Sequence, residues 1–373
     1  MRRNKKNLSF FSKTLLVINA VAVLLLLLAY LAPLVNPTKF WPIAFFGLAY
    51  PFVLLLNALF VVFWLFRKAS FALPSLIVIL LGWKFLSSFI RFRESTAIEV
   101  PKSSPEFIRV MTYNVHSFKK FGEANEESIK EQILNIIRRE QPDVICFQEF
   151  FTRRKGTYHF KKFIKEILKT EYVYFEPTTD NGYEAIGLAI FSKFPIKDKG
   201  DIRFTEIQRG NEAIYADIQY RDQLFRVYNV HLQSIRFQPE DYEYLNQVAN
   251  DIQTDIRSPR RIGSRLKRAF IKRSQQVQLL KEHTQSCTSP YLVAGDFNDT
   301  PVSYAVNVLA DGMINTFREK GSGLGITYNG DFPNFQIDYI LATPDFQVKN
   351  YRIIDKKLSD HYAVRADLQL DKR

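Results

Sequence analysis

Tyr291-Leu-Val-Ala-Gly295-Asp-Phe-Asn-Asp299 is an apolar run that breaks abruptly into carboxylates and an amide. Tyr291 to Gly295 reads as a strand, and its end carries Asp296 and Asn298, side chains that a hydrophobic core rejects. The pattern recurs along the chain. The run Phe107 to Val115 contains Asn114, and Asp143 to Gln148 leads into Glu149. Leu224 to His231 closes on Asn229 and His231, Gln336 to Ala342 carries Asp338, and Asp360-His361 precedes Tyr362 to Leu368. An Asn at a strand end or an Asp-His pair is ordinarily a cap or a turn. Repeated at six places, such groups suggest a site built where loops leave a rigid scaffold.

Around this stretch, short β-branched runs alternate with helical ones. Asp143 to Gln148 is nearly continuous in apolar character, which suits a strand covered on both faces. Further strands are expected at Tyr172–Glu176, Ala185–Ser192, Ala213–Tyr220 and Gln347–Ile354. Arg221-Asp222-Gln223 offers a hairpin turn. A charged amphipathic helix is expected from about Glu126 to Glu140. Several hairpins with only a few helices point to an α/β sandwich, two packed sheets with outer helices, over residues 106–373. Gly321-Ser-Gly-Leu-Gly325 reads as a turn. Cys146 sits in an apolar run and reads as core, and the sequence leaves a Cys146–Cys287 disulfide open.

The first third is different in kind. Thr14 to Thr38 is uncharged and contains Leu24 to Leu28. Phe40 to Phe66 is likewise uncharged, with Pro42 and Pro51, and Ser70 to Ile90 is interrupted only by Lys84. A helix of about 20 apolar residues crosses a bilayer core. Three transmembrane helices are therefore expected, at 14–35, 41–66 and 70–90, within a membrane region of residues 1–93. A cleaved signal peptide has a shorter apolar core and no further apolar segments behind it. A polar linker, 94–105, follows. Eleven of the 51 Lys/Arg and one of the 38 acids fall in residues 1–98, so the first third holds most of the formal +13. That excess flanks apolar segments and is weak evidence for nucleic-acid binding. Basic residues before the first segment and at Arg67-Lys68 place those ends in the cytoplasm. Three crossings then put everything after Ile90 on the other side; if the Lys84 segment does not span, the domain faces the cytoplasm.

Carboxylates with few sulfur or histidine partners suit a hard cation, Mg²⁺ or Mn²⁺. Such an ion polarises a phosphoryl oxygen, while amide and imidazole donors take up the developing charge. Rival chemistries lack their motifs. There is no G-x-S-x-G elbow, P-loop, H-E-x-x-H or G-x-G-x-x-G.

Met111-Thr-Tyr-Asn114, Asp143-Val-Ile-Cys-Phe-Gln-Glu149, Gly187-Leu-Ala-Ile-Phe-Ser192, Tyr228-Asn-Val-His-Leu232, Gly295-Asp-Phe-Asn-Asp299, Gln336-Ile-Asp-Tyr-Ile340 and Ser359-Asp-His361 occur in an order that resembles the endonuclease/exonuclease/phosphatase superfamily, of DNase I-like fold, here of a membrane-anchored bacterial type. The resemblance implies Glu149 as principal metal ligand, Asn114 beside it as ligand or orienting group, and Asp360 as the second metal-side carboxylate. It implies that Asp296 and Asn298 position water and hold phosphoryl oxygens. It implies His361, its ring oriented by Asp338, as the histidine that contacts the phosphate or handles its proton, and His231, with Asn229 close by, as the second histidine that protonates the leaving oxygen. The general base stays open between histidine and carboxylate.

The superfamily cleaves nucleic acids, inositol phosphates, sphingomyelin and other phosphate esters, and its catalytic set does not choose among them. The expectation is a membrane-anchored, metal-dependent phosphodiesterase, with nuclease activity as the leading form. A lipid-headgroup phosphodiesterase and an inactive membrane-anchored binding module are the alternatives. The partner is then a nucleic acid or a phospholipid, with no obligate protein partner evident. The expected location is a bacterial inner membrane, the catalytic domain periplasmic or extracellular. Arg257, Arg260, Arg261, Arg265, Lys267, Arg268, Lys272 and Arg273 form a basic stretch without an acid. It reads as an exposed helix face, or as a polyanion contact with nucleic-acid phosphates or anionic headgroups. Phe237, Tyr242 and Tyr244 before it are too sparse for base stacking.

Overall fold

The computed structural model describes residues 9–93, 102, 104–118, 126–205, 210–235, 257–330 and 333–371. Phe237, Tyr242, Tyr244, the basic N-terminus and most of the 94–105 linker lie outside the described residues.

The first described elements are α1 (Phe10–Leu31), a short α2 (Pro37–Phe40) and α3 (Pro42–Arg67). Ser9 caps α1 by accepting a hydrogen bond from Ser12 N at 3.3 Å. Pro33 lies just past its end and has no backbone N–H with which to continue the helix. α1 and α3 are long and apolar enough to cross a membrane. The third segment is not the single helix expected. α4 (Leu73–Leu81) and α5 (Trp83–Phe89) break at Gly82, and the helical stretches on either side are bent by 69°. Gly82 packs against the Tyr30 ring, where a Cβ has no room. Inside this bundle Asn57 donates to Ala22 O at 2.9 Å and Ser75 donates to Asn57 Oδ1 at 3.0 Å. These bonds join α1, α3 and α4 in a setting where an unpaired polar group is costly.

The remainder is a two-sheet α/β sandwich. One sheet contains β2 (Ile108–Asn114), β3 (Val144–Arg153), β4 (Tyr172–Asp180), β5 (Glu184–Ser192), β13 (Phe346–Ile354) and β14 (Ala363–Leu370), in the order β13-β14-β2-β3-β5-β4. The other contains β6 (Ile196–Ile202), β7 (Ala213–Tyr220), β8 (Gln223–His231), β9 (Tyr291–Asp296), β10 (Ile314–Asn315) and β12 (Asp338–Ala342), in the order β10-β12-β9-β8-β7-β6. The β2–β3 and β8–β9 pairs are parallel, and the other ladders are antiparallel. The expected hairpin joins β7 to β8, with Tyr220 opposite Gln223. β6 escapes the sequence pattern because it is an edge strand with Lys197, Asp198 and Lys199 exposed.

Alternation along β2 and β3 explains the continuous apolar runs. Ile108, Val110, Val144 and Cys146 pack between the sheets against Ile214, Val227, Leu292 and Ile340. Met111, Tyr113, Ile145 and Phe147 pack outward, under Ile129, Ile133 and Ile137 of α6 (Glu126–Glu140) and Ile164 of α7 (Phe160–Leu168). On the opposite face Tyr228, Val230 and Val293 are covered by Val277 and Leu280 of α8 (Arg257–Gln285) and by Val306 and Leu309 of α9 (Tyr304–Ala310). Both cysteines are free.

The helical bundle and the sandwich are in direct contact. Gly47 of α3 lies against the Val302 carbonyl, where a Cβ would collide. Asn36 donates to the Tyr304 hydroxyl at 3.2 Å, and Phe45 meets Phe270 edge-on at 5.2 Å between centroids. Gly323–Leu324, expected as a turn, forms a short strand, β11, that pairs with β1 (Ile90–Arg91) at the end of α5. The turn chemistry is still visible at Gly323, whose φ is 65°. The backbone groups beside it are taken up by the chain leaving the bundle.

Candidate active site

Sheet register brings the polar strand ends together. His231 on β8 lies opposite Asp296 on β9, which in turn lies opposite Asp338 on β12. Asp338 starts its strand rather than ending it, because β12 runs antiparallel to β9. In the other sheet Asn114 lies opposite Gln148. The two rows meet where the sandwich opens. Asn114 Nδ2 donates to Asp296 Oδ2 at 3.1 Å, and Gln148 Nε2 donates to Asn229 Oδ1 at 2.6 Å.

The backbone is bent to aim these groups. β3 carries a register shift between Phe147 and Phe150, and Glu149 within it has a φ of 51°. A bulge of this kind turns a side chain away from strict alternation, so Gln148 enters the interior while Glu149 reaches the cleft. Asn298 sits at φ 53° and His116 at φ 44°. Left-handed non-glycine residues clustered at one place are a usual mark of a functional site. Gly295 has a φ of 150° and lies flat on the Val230 backbone, leaving no space for a side chain.

Asp296 is the hub. Its Oδ1 accepts from Asn298 N at 2.8 Å and its Oδ2 from Asn298 Nδ2 at 3.0 Å. His231 Nε2 and His361 Nε2 lie 3.6 and 3.7 Å from Oδ2. Burial pushes the Asp296 carboxyl up to about 6, against the pull of His361. His361 Nδ1 contacts Asp338 Oδ2 at 2.9 Å. Burial opposes charge on this ring, but Asp338 and Asp296 outweigh it and hold the imidazolium well above its ordinary range.

A cleft of about 430 Å³ is lined by Asn114, Glu149, His231, Asp296, Asn298, Asp360 and His361. Glu149 and Asp360 are its partly exposed carboxylates. Their oxygens approach a single atom, His116 Nδ1, at 3.8 and 3.6 Å. Two partly exposed carboxylates drawn to one position in a cleft suit a hard, oxygen-coordinated cation. A second group, Asp296, Asp338 and His361, offers three donor atoms within 4.8 Å of one another. There both His361 nitrogens already face carboxylates, which suits proton handling better than coordination.

Asn229 is withdrawn from the cleft. Its amide donates to Phe147 O at 2.8 Å and Ala189 O at 3.0 Å, tying one sheet to the other. Arg273, grouped in the sequence with an exposed basic face, is buried, with Nε 3.4 Å from Asp299. Arg260, Arg261, Arg268 and Lys272 are exposed. His116 was not anticipated. The signal was present, since the chain has only five histidines and this one follows Asn114 by two residues.

Residues 111–361 match the family model described as the endonuclease/exonuclease/phosphatase family. The chain belongs to that family. Residues 12–89 match a second model, described as a domain of unknown function. No curated protein matches the chain. Among solved structures, a family protein from Beutenbergia cavernae DSM 12333 is similar with a TM-score of 0.51 and 19% identity, over 71% of this chain and 72% of that one. One from Bacteroides thetaiotaomicron has a TM-score of 0.51 and 17% identity, over 71% and 98%. One from Leptotrichia buccalis C-1013-b has a TM-score of 0.50 and 18% identity, over 70% and 100%. At these identities the likeness is one of fold.

Proposed function

We propose that this family member is a membrane-anchored, divalent-metal-dependent phosphoesterase. The observation that carries the reading is the placement of Asp296, bonded by Asn114 and Asn298 and flanked by His231 and His361, beside the open Glu149–Asp360 pair. Glu149 and Asp360, with Asn114 adjacent, would hold Mg²⁺ or Mn²⁺. When bound, such an ion polarises a phosphoryl oxygen and steadies the leaving oxygen. The chain's own groups do the rest. Asp296, held in one orientation, accepts a hydrogen bond from the attacking water. Protonated His361 donates to a phosphoryl oxygen, and Asp338 fixes its ring. His231 is placed to return a proton to the leaving oxygen.

Membrane residence is proposed from the same molecule. The sandwich contacts the α1–α3 connection and the end of α5, whereas Lys13 and Arg67-Lys68 lie at the opposite ends of α1 and α3. With the bent α4–α5 pair as a third crossing, a positive cytoplasmic side puts the catalytic domain on the far side of the membrane. In this reading the domain occupies 106–373, behind a membrane region of 1–93.

The test is hydrolysis of bis(4-nitrophenyl) phosphate by the full chain in detergent, with Mg²⁺, with Mn²⁺ and with EDTA. Asp296→Asn and His361→Ala should each lower turnover by about 10²- to 10⁴-fold with little change in thermal unfolding. Turnover that survives EDTA, or survives both substitutions, sinks the proposal.

A further inference from the structure

A second cavity, also about 430 Å³, adjoins the catalytic cleft and shares Pro333 and Phe335 with it. It follows α3 from Tyr50 to Ala58 and is closed on its other side by Ile79, Leu86 and Phe89 of α4 and α5. At the helical rise per residue that is a groove of roughly 12 Å along the helix. Phe52 and Leu55 on its wall are 45% and 60% exposed, so it opens sideways, along a helix apolar enough to cross a membrane. Such a groove beside a phosphate-ester site has the shape of an amphiphile, polar at one end and hydrocarbon at the other.

Independent features agree. Gln336 lines the groove and is 2% exposed, yet neither of its amide atoms has a hydrogen-bond partner among the described residues. The Tyr50 hydroxyl is in the same condition. Buried polar groups are rarely left so, and a ligand with ester or amide atoms between its polar and apolar parts would satisfy them. The catalytic cleft itself is walled by Leu48 of α3 and by Ile262 and Leu266 of α8, a poor surface for a polyanion strand. Lys267, the residue after Leu266, has its Nζ 4.5 Å from the Trp41 ring centroid. Tryptophan at the start of an apolar helix marks the headgroup region, where the exposed Arg260, Arg261 and Arg268 of α8 would attract anionic lipid.

We propose that the substrate is a phosphate ester of a membrane lipid, with its phosphate at the catalytic cleft and one acyl chain in the groove between α3 and α4–α5. The inference rests on the phosphoesterase reading above. In the reaction the oxygen of water forms a new bond to phosphorus and the ester P–O bond breaks. A proton from that water ends on the leaving oxygen.

The experiment uses the full chain in nanodiscs of dioleoylphosphatidylglycerol, dioleoylphosphatidylcholine and dioleoylphosphatidate. Bis(4-nitrophenyl) phosphate, plasmid DNA and RNA serve as lipid-free substrates. Leu55→Trp and Ala58→Trp fill the groove without touching the catalytic groups. Each should lower lipid turnover about tenfold or more, the scale of several displaced methylene groups, and leave bis(4-nitrophenyl) phosphate turnover unchanged. Unchanged lipid turnover in both variants overturns the inference, as does an equal loss on both kinds of substrate. Wild-type cleavage of the lipid-free substrates without any lipid turnover overturns it while leaving the phosphoesterase reading intact. No turnover of any substrate removes both.

Discussion

Asp296 accepts hydrogen bonds from two asparagines and has two histidine nitrogens within 3.7 Å. In the proposed reaction its ionised form accepts from water, and burial raises its carboxyl to about 6. Lowering the pH through that value adds the proton, so kcat/KM should fall about tenfold per unit on the acid side. His361 works in the opposite sense. Asp338 and Asp296 hold its proton well above neutrality, so the alkaline limb should lie high. Asp338→Asn removes one of those carboxylates and should draw the alkaline limb downward, as read from a pH–rate profile. An alkaline limb unmoved by this substitution excludes His361 as the acidic donor. Of these residues Asp296, Asn298, Asp338 and His361 were legible in the sequence as polar groups within or beside apolar runs. His116 was passed over, because one histidine two residues beyond Asn114 is a faint signal until the fold brings Glu149 and Asp360 to its ring.

At the scale of elements, α3 bridges the bundle and the sandwich through a glycine. A side chain on Gly47 would meet the Val302 carbonyl and the Ala32 methyl. Gly47→Leu should therefore destabilise the full chain by about 1–3 kcal/mol, the range for overpacking a fitted contact, as measured by thermal unfolding in detergent. Unaltered stability argues that α3 does not dock on Val302. The α6 helix and most strands were predictable from periodicity, since each has a buried face with its own repeat. The break at Gly82 was not, because a lone glycine is tolerated inside a helix and its close contact with the Tyr30 ring of another helix is visible only in three dimensions. Nor was the division of the basic stretch. Only packing turns Arg273 inward to Asp299 while Arg268 stays in solvent.

For the whole molecule, the two cysteines report topology. Burial pushes the Cys146 thiol far up and closes it to reagents, whereas Cys287 is only partly covered. If the sandwich lies outside the cytoplasm, a membrane-impermeant maleimide should label Cys287 in intact cells and leave Cys146 untouched until denaturation. Labelling that requires permeabilised cells reverses the proposed orientation. The same arrangement, the candidate cleft opening beside α3, gives the lipid reading its physical basis.

Local chemistry alone was enough for two things. Period and composition separate an apolar third from an α/β sandwich, because burial on one face, on both faces or all round leaves its repeat in the chain. The ordered motifs around the polar strand ends carry the resemblance to the family, which the match over residues 111–361 bears out. What needed three dimensions were relations between distant segments. These are the bulge that aims Glu149, the three-strand row of His231, Asp296 and Asp338, and the groove that adjoins the candidate cleft along α3. None leaves a local signal, since each depends on which surfaces meet after the chain has packed.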